Sequence, residues 1–515
     1  MSRKMLSALC LILALLCCLP LIASCGDKAD GPKAGETTAA AGEKDPADTE
    51  AAETEPLLHY QTLEKDFGGQ NCRIMVNHNA NYDQFTNFEV VSEGENGEIV
   101  NDAVYRRNSL IFEKFNVGIE TITIEDTNAQ STEMYTALTK NIMSGEDAAE
   151  IFFIAQRDAG KIIMNGYSYD MNDLPYVDYT QPYWNQHTVN DLTLEGVLYL
   201  CNSDFSLVDK KRTYILTYNR DLLHEYSDLN LEDMVHDGTW TYDQFIKLCE
   251  AVSSDLNGDG IIDWNDQWGV GMDSPHACCA FLVGMNGRLI TKDKNGLPVS
   301  NIDSAKTIEI ANMLYDTLHL SKNLGFECSG VPTWKSPDVT KNSQWSGYMF
   351  RNERTLFSTS FPQSLPQLSA NVDFDYGAVV WPKYDEAQDD YYTFADKWGC
   401  VLFGVPYIAQ NTELAGFMLE VLSGYSTDTS LEAYYEISCK VKYTYDETSA
   451  EMLDIALKSL TYDLGAIFDW GGLYSNFTKL IFQSSNNYVS ACASIADKVQ
   501  SEMEATLEAI AASKG

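Results

Sequence analysis

The sequence predicts an α/β protein built from two lobes, and three observations support this fold class. From residue 72 onward, apolar strand-like segments alternate with amphipathic helical segments, which is the pattern of α/β units with a parallel sheet. After the N-terminal leader and linker, about 460 residues remain, which is too many for one hydrophobic core. The hydrophobic content of 45% is normal for a globular protein.

The first 25 residues predict an export signal that ends in a lipid-modified cysteine. A short basic start precedes an apolar run over residues 6–22, which is shorter than the about 20 residues of a membrane span. Residues 22–25 (Ile-Ala-Ser-Cys) are similar to the bacterial lipoprotein box, and this resemblance implies that Cys25 is acylated and becomes the mature N-terminus. A plain signal peptide with an incidental cysteine is the alternative.

The segment that follows the leader, residues 26–56, predicts a disordered acidic tether. It consists of small, acidic and proline residues with almost nothing large and apolar to bury. The formal net charge of the whole chain is −40, which excludes nucleic acid as a partner because that interaction needs a basic surface. The nine cysteines outside the leader show no zinc or CxxC spacing, so they predict buried free thiols and leave one disulfide open.

Periodicity assigns the first strands and helices. Residues 117–124 alternate apolar and polar side chains, and residues 151–154 are continuously apolar, as in a strand covered on both faces. The predicted strands are residues 72–76, 117–124 and 151–154, and the predicted helices between them are residues 99–115 and 131–143. Later in the chain, the sequence predicts strand-like segments over residues 196–200 and 214–218. It also predicts a helix that begins after Thr241, a helix over residues 304–320 and a mostly helical region from residue 410.

Polar residues follow each of the first three strands. Asn79 and Tyr82 come after the first, residues 125–126 after the second, and Arg157 after the third. In parallel sheets, ligands bind beyond the carboxyl ends of the strands, so these residues are candidate binding groups. Ordinary solvated loops are the alternative.

Residues 255–266 have the spacing of a twelve-residue calcium loop. Gly260 stands where such a loop turns sharply, and the last ligand position carries Asp instead of Glu, so the loop resembles those of dockerin modules. The predicted ligands of a structural Ca²⁺ are Asp255, Asn257, Asp259, Ile261 through its backbone carbonyl, Asp263 and Asp266. An acidic turn held by its own hydrogen bonds is the alternative.

Four segments together resemble a known family. Residues 95–108 (ENGEIVNDAVYRRN), 214–223 (YILTYNRDLL), 238–245 (GTWTYDQF) and 381–388 (WPKYDEAQ) resemble, in this order, segments of the extracellular solute-binding proteins of carbohydrate ABC importers, of the maltose-binding type. The resemblance implies the two-lobed periplasmic-binding-protein fold of type II, in which each lobe is a sheet flanked by helices and a hinge joins the lobes.

The resemblance also implies boundaries for the lobes. The expected organisation is signal peptide 1–25, tether 26–56, a first lobe of 57–205 plus about 350–385, and a second lobe of 206–349 plus about 386–515 with the calcium-type loop. The crossings between the lobes are expected near residues 203–210, 350–358 and 381–396.

Sugar recognition needs flat aromatic faces and planar polar groups. Three tryptophans lie beside Gly, Pro or Asp and are candidate platforms, with packing in the core as the alternative: Trp381, Trp398 and Trp470. The candidate charged groups are Arg157, Asp204 and Asp396.

The function predicted from these features is capture of a sugar or oligosaccharide, without catalysis, by a lipid-anchored monomer that delivers it to ABC permease subunits. A surface glycan-degrading enzyme is one alternative, because so acidic a chain has many Asp and Glu residues that could form a catalytic pair. The sequence shows no nucleophile elbow, HExxH motif or phosphate-binding loop. A surface adhesin is another, and a peptide or other polar solute could replace the sugar.

Overall fold

The computed structural model describes residues 57–79, 86–126, 132–272, 274–320, 325–327, 338–339, 341, 344–435 and 447–513. These residues belong to one unit that begins at Leu57. The predicted signal, Cys25 and the predicted tether lie outside the described residues.

The described residues form strands in four sheets. The strands are β1 (Gln70–His78), β2 (Val117–Glu125), β3 (Ile151–Ala155), β4 (Ile215–Asn219), β5 (Trp268–Met272), β6 (Ile290–Lys292), β7 (Pro298–Ser300), β8 (Gly325–Glu327), β9 (Thr355–Ser360), β10 (Tyr376–Val379), β11 (Thr393–Phe394), β12 (Val401–Gly404) and β13 (Leu460–Thr461).

Helices surround the two larger sheets. They span His59–Thr62, Ile99–Phe115, Glu133–Ser144, Gln156–Met164, Gln186–Leu192, Val208–Lys211, Arg220–Tyr226, Leu231–His236, Tyr242–Val252, Ala277–Gly284, Ala305–Tyr315, Trp345–Arg351, Leu365–Ser369, Thr412–Ser426, Glu447–Lys458, Leu464–Phe468, Leu473–Thr478 and Tyr488–Ser513. None of the helices in the described part of the chain combines the length and apolar character that crossing a bilayer requires.

The first sheet has the strand order β12-β3-β1-β2. β1 is parallel to both β2 and β3, and β12 is antiparallel to β3. All five residues of β3 are buried, as its continuous apolar run predicts for a strand covered on both faces. The strand-helix-strand-helix-strand unit read from the sequence is therefore confirmed, with the second helix ending at Gly145 in a left-handed cap.

The second sheet has the order β10-β4-β9-β5-β8. β4 is antiparallel to β10 and β9, whereas β5 is parallel to β9 and β8. Residues 196–200, which are expected from the sequence to be strand-like, form one isolated bridge, at Val197, and a second bridge follows at Cys201.

Strand pairing places two segments differently from the expected lobe boundaries. β9 and β10, within the segment expected in the first lobe, pair with β4 of the second sheet. β12, within the segment expected in the second lobe, pairs with β3 of the first sheet. In the fully described segments, the chain therefore passes between the two sheets over residues 201–215 and 379–401, while residues 350–358 stay beside the second sheet.

The two crossing segments, residues 201–215 and 379–401, contact each other directly. Thr213 and Ala395 form an antiparallel bridge, and Asn202 donates a hydrogen bond to the carbonyl of Val401 at 2.9 Å. Seven cysteines in the described residues are buried and free, as expected: Cys72, Cys201, Cys249, Cys278, Cys279, Cys400 and Cys492. Cys328 and Cys439 lie outside the described residues.

Candidate functional site

A cavity of about 460 Å³ lies at one edge of the second sheet, beside the crossing segments. Its walls include the last residue of β9 and the turn that follows it, and Ser274 and His276, which come soon after β5. Since β5 and β9 are parallel, the cavity stands at the carboxyl ends of parallel strands. This is where ligands of α/β sheets bind.

Rings and guanidinium groups form one wall of the cavity. The rings of Tyr214 and Phe361 lie 4.5 Å apart between centroids, and the guanidinium of Arg212 lies 3.9 Å from the centroid of Phe361. The rings of His276 and of Trp398, which belongs to the second crossing segment, lie 5.5 Å apart between centroids. Flat faces of this kind suit the apolar face of a sugar ring or another flat group.

The remaining walls are rich in hydroxyl and amide groups. β9 and the turn that follows it supply most of them, and the helix Trp345–Arg351 supplies another side of the cavity. The polar lining side chains from these segments are Gln344, Arg351, Ser358, Thr359, Ser360, Gln363, Ser364 and Gln367. Such groups donate to and accept from hydroxyl groups, so the lining chemistry suits a polyhydroxylated solute.

An ion pair joins the crossing segments at the cavity wall. Arg212, on the first segment, donates from Nη2 to the carboxylate of Asp396 on the second segment. The backbone N–H of Trp398 also donates to Asp396 Oδ1 at 3.1 Å. The Asp396 side chain is 2% exposed, so its charge depends on these partners. Burial lowers the pKa of neighbouring His276, which favours its neutral form.

The carboxyl edge of the first sheet supplies groups close to this wall. Arg157, one residue into the helix Gln156–Met164, donates from Nη1 to the carbonyl of Trp398 at 3.5 Å. Burial lowers the pKa of Arg157, while the charges of Asp158, Asp126 and Asp396 act in the opposite direction. The edge of the first sheet and the cavity wall therefore meet at Trp398.

Three of the predicted site residues come together here. Asp396 and Trp398 line the cavity, and Arg157 contacts Trp398 from the first lobe. Asn79 is buried directly after β1, where its backbone N–H donates to Thr86. Tyr82 lies outside the described residues.

The other three predicted residues are held away from the cavity. Trp381 is 0% exposed and donates to the carbonyl of Tyr214, and Trp470 is 1% exposed, stacks on Phe468 and donates to Thr506. Asp204 accepts a hydrogen bond from Thr427 at 2.7 Å, and burial raises its pKa to about 6. These side chains already have partners in the fold and do not line the cavity.

Most of the cavity lining is not among the residues predicted from the sequence. Tyr214 opens the family-like segment 214–223 but was not among the candidate binding residues, and Arg212, His276, Arg351 and Phe361 belong to no motif. The run of polar residues from Ser358 to Ser360 at the end of an apolar strand is the one local signal that resembles the strand-end pattern used for the first sheet.

The carboxylates of the calcium-type loop, residues 255–266, are turned toward backbone amides. Asp255 accepts from Gly258 and Gly260 through its two oxygens, and Asp266 accepts from Leu256 and Asp263. Gly260 has a φ of +80°, so the sharp turn falls where the spacing predicts it. In the described part of the chain, no group of three or more His, Cys, Asp or Glu side chains is placed to hold a metal ion.

A two-lobed α/β fold with a polar, ring-walled cavity beside the crossing segments defines a binding protein of the clamp type. The family model described as bacterial extracellular solute-binding protein matches residues 111–419, more than half of the chain. This protein belongs to that family, which is a family of binding proteins. A search of curated proteins finds no match.

Two solved structures share the fold at low sequence identity. A cyclo/maltodextrin-binding protein in complex with maltotetraose is 11% identical, with a TM-score of 0.54 over 84% of this chain and 97% of the other. The GacH receptor of Streptomyces glaucescens, solved without ligand and with acarbose, is 11% identical, with a TM-score of 0.50 over 85% of this chain and 99% of the other. They confirm the predicted fold of the maltose-binding type.

Proposed function

We propose that this protein captures a sugar or oligosaccharide in the cavity beside the crossing segments and delivers it to the membrane subunits of an ABC importer. The observation that carries the proposal is the cavity itself, which combines flat rings with hydroxyl, amide and guanidinium groups at the carboxyl ends of β5 and β9. The two structural neighbours described above bind maltotetraose and acarbose, which are sugars or sugar-like compounds.

The proposed mechanism is closure of the lobes on the solute without chemical change. The cavity is lined by the second lobe and the crossing segments, and Arg157 brings the first lobe into contact with its wall at Trp398. A solute that bridges both lobes stabilises the closed arrangement by the contacts it makes only there. The protein acts as a monomer, and acylation at Cys25 holds it on the outer face of the cell membrane.

Calorimetric titration of the purified protein with a panel of oligosaccharides tests this function. One sugar class should bind with heat proportional to occupancy and be recovered intact after long incubation. Trp398→Ala should weaken binding at least about tenfold because it removes a flat ring from the wall. The matched control is Tyr407→Ala, which removes a 60% exposed ring outside the cavity and should leave the affinity unchanged.

Each other outcome points to a different class of protein. Binding of peptides but of no oligosaccharide would replace the sugar with another solute in the same cavity. Loss of the added oligosaccharide over time would show an enzyme.

We also propose that residues 255–266 bind a structural Ca²⁺. The support is the ligand spacing, the oxygen-only donor set and the glycine turn at the required position. Binding would require the carboxylates of Asp255, Asp259, Asp263 and Asp266 to share their remaining lone pairs with the ion while they keep backbone amides as donors.

A further inference from the structure

Arg351 is a cation in the cavity wall that makes no ion pair with a described residue, although the carboxylate of Asp338 lines the same cavity. It lies in the last turn of the helix Trp345–Arg351, lines the cavity and is half-buried. Among the described residues, no carboxylate or carbonyl pairs with its guanidinium. The other cavity arginine, Arg212, differs because it is paired with Asp396.

What distinguishes Arg351 from other unpaired cations of the described residues is its place in the cavity lining. Asp and Glu number 75 against 35 Lys and Arg, so acidic partners are abundant. A half-buried guanidinium that is left without one keeps five donors for an external oxyanion. A helix C-terminus also favours a cation, but no carbonyl of that last turn accepts from Arg351 in the described residues.

The helix leaves room for the guanidinium on the cavity side. Gly347 lies one turn before Arg351 and also lines the cavity. A Cβ at position 347 would come within 3.1 Å of Arg351 Nη1, which is closer than ordinary contact. The glycine therefore lets the Arg351 guanidinium occupy space that a side chain at residue 347 would take.

We propose that the solute of this cavity is an acidic sugar, and that Arg351 binds its oxyanion. The oxyanion is a carboxylate, a sulfate ester or a phosphate ester, since each matches the fork of a guanidinium. Hydroxyl groups of Ser358 and Ser360 and amide groups of Gln363 and Gln367 line the same cavity and are suited to the uncharged part of the sugar. The inference rests on the proposed function, because it names the charge of the sugar that the cavity takes.

Ligands that differ only in charge test the inference. The purified protein is titrated with an oligouronate, with its methyl ester, and with neutral oligosaccharides of the same length. Sulfated and phosphorylated oligosaccharides form two further arms that identify the oxyanion. We expect one acidic ligand to bind about tenfold to a hundredfold more tightly than its uncharged counterpart, which is the range of a charge-assisted hydrogen bond. This preference should fall as salt is raised from low to high concentration.

Two variants with the same change in net charge test whether the preference for the acidic ligand depends on Arg351. Arg351→Gln should abolish the preference for the acidic ligand while the neutral counterpart binds as it does to the wild type. Arg354→Gln removes a charge three residues away, outside the cavity lining, and should leave the preference unchanged. Equal binding of charged and uncharged ligands, or a preference that survives in Arg351→Gln, overturns the inference and leaves the proposed function standing. Failure of every oligosaccharide to bind overturns the proposed function and the inference together.

Discussion

The ion pair between Arg212 and Asp396 should be a main tie between the two crossing segments, and Asp396→Asn tests this. The substitution keeps the shape of the side chain and an acceptor for the N–H of Trp398, but it removes the charge that faces Arg212. Removing one member of a buried pair costs about 3 to 5 kcal/mol. Because Arg212 keeps 15% of its side-chain exposure, water offsets part of this cost, and we expect a loss of about 2 to 4 kcal/mol.

Urea unfolding, followed by tryptophan fluorescence and by circular dichroism, measures the loss in the free energy of unfolding. The control is Glu95→Gln, which removes one partner of the exposed pair Arg106–Glu95 and should cost less than about 1 kcal/mol. A double-mutant cycle with Arg212→Gln separates the pair from its surroundings. A coupling energy below about 0.5 kcal/mol would refute the role assigned to this pair.

Three further predictions concern acidity, calcium and anchoring. Burial raises the pKa of Glu89 from 4.5 to about 7, so the folded state holds its proton more tightly and the stability falls as pH rises between these values. In urea titrations, the free energy of unfolding of Glu89→Gln should therefore exceed that of the wild type by up to about 3 kcal/mol at pH 8 and equal it at about pH 4. The same difference in the free energy of unfolding at both pH values would contradict this prediction. Calcium at a hundredfold excess over its dissociation constant should stabilise the protein by about 2.7 kcal/mol in thermal unfolding. Asp259→Asn should reduce this stabilisation, whereas the control Asp293→Asn, in an unrelated exposed turn, should leave it unchanged. Cys25→Ser should move the protein from the membrane fraction to the soluble fraction in a cell fractionation, and retention in the membrane would argue against acylation.

Local pattern predicts the first sheet well because each of its elements is encoded in a few consecutive residues. The alternation over residues 117–124 and the apolar run over 151–154 give β2 and β3 nearly to the residue, and the helix Ile99–Phe115 has the predicted bounds. The lobe boundaries depend on pairing between distant segments, such as β4 with β9. Nothing in the five residues of β4 specifies a partner about 140 residues later, so the sequence analysis expected β9 in the first lobe.

The tryptophans show the same limit within the site. A tryptophan beside Gly or Asp was the signal for a binding platform, and it identifies Trp398, which lines the cavity. The same signal also selects Trp470, whose indole N–H donates to Thr506 in the C-terminal helix 36 residues away. Local composition indicates a turn that can expose a ring, but the distant partner decides whether the ring faces the core or the cavity.

The position of the Arg212–Asp396 pair connects binding with closure. Both side chains line the cavity, and they belong to the two crossing segments described above. Under the proposed function, a solute that contacts either side chain changes the balance of charges at the joint between the lobes. A ligand shifts an equilibrium only by its difference in affinity for the two states. Because this joint forms part of the cavity wall, a solute that contacts it differently in the open and closed arrangements shifts the balance between them without a separate pathway through the core.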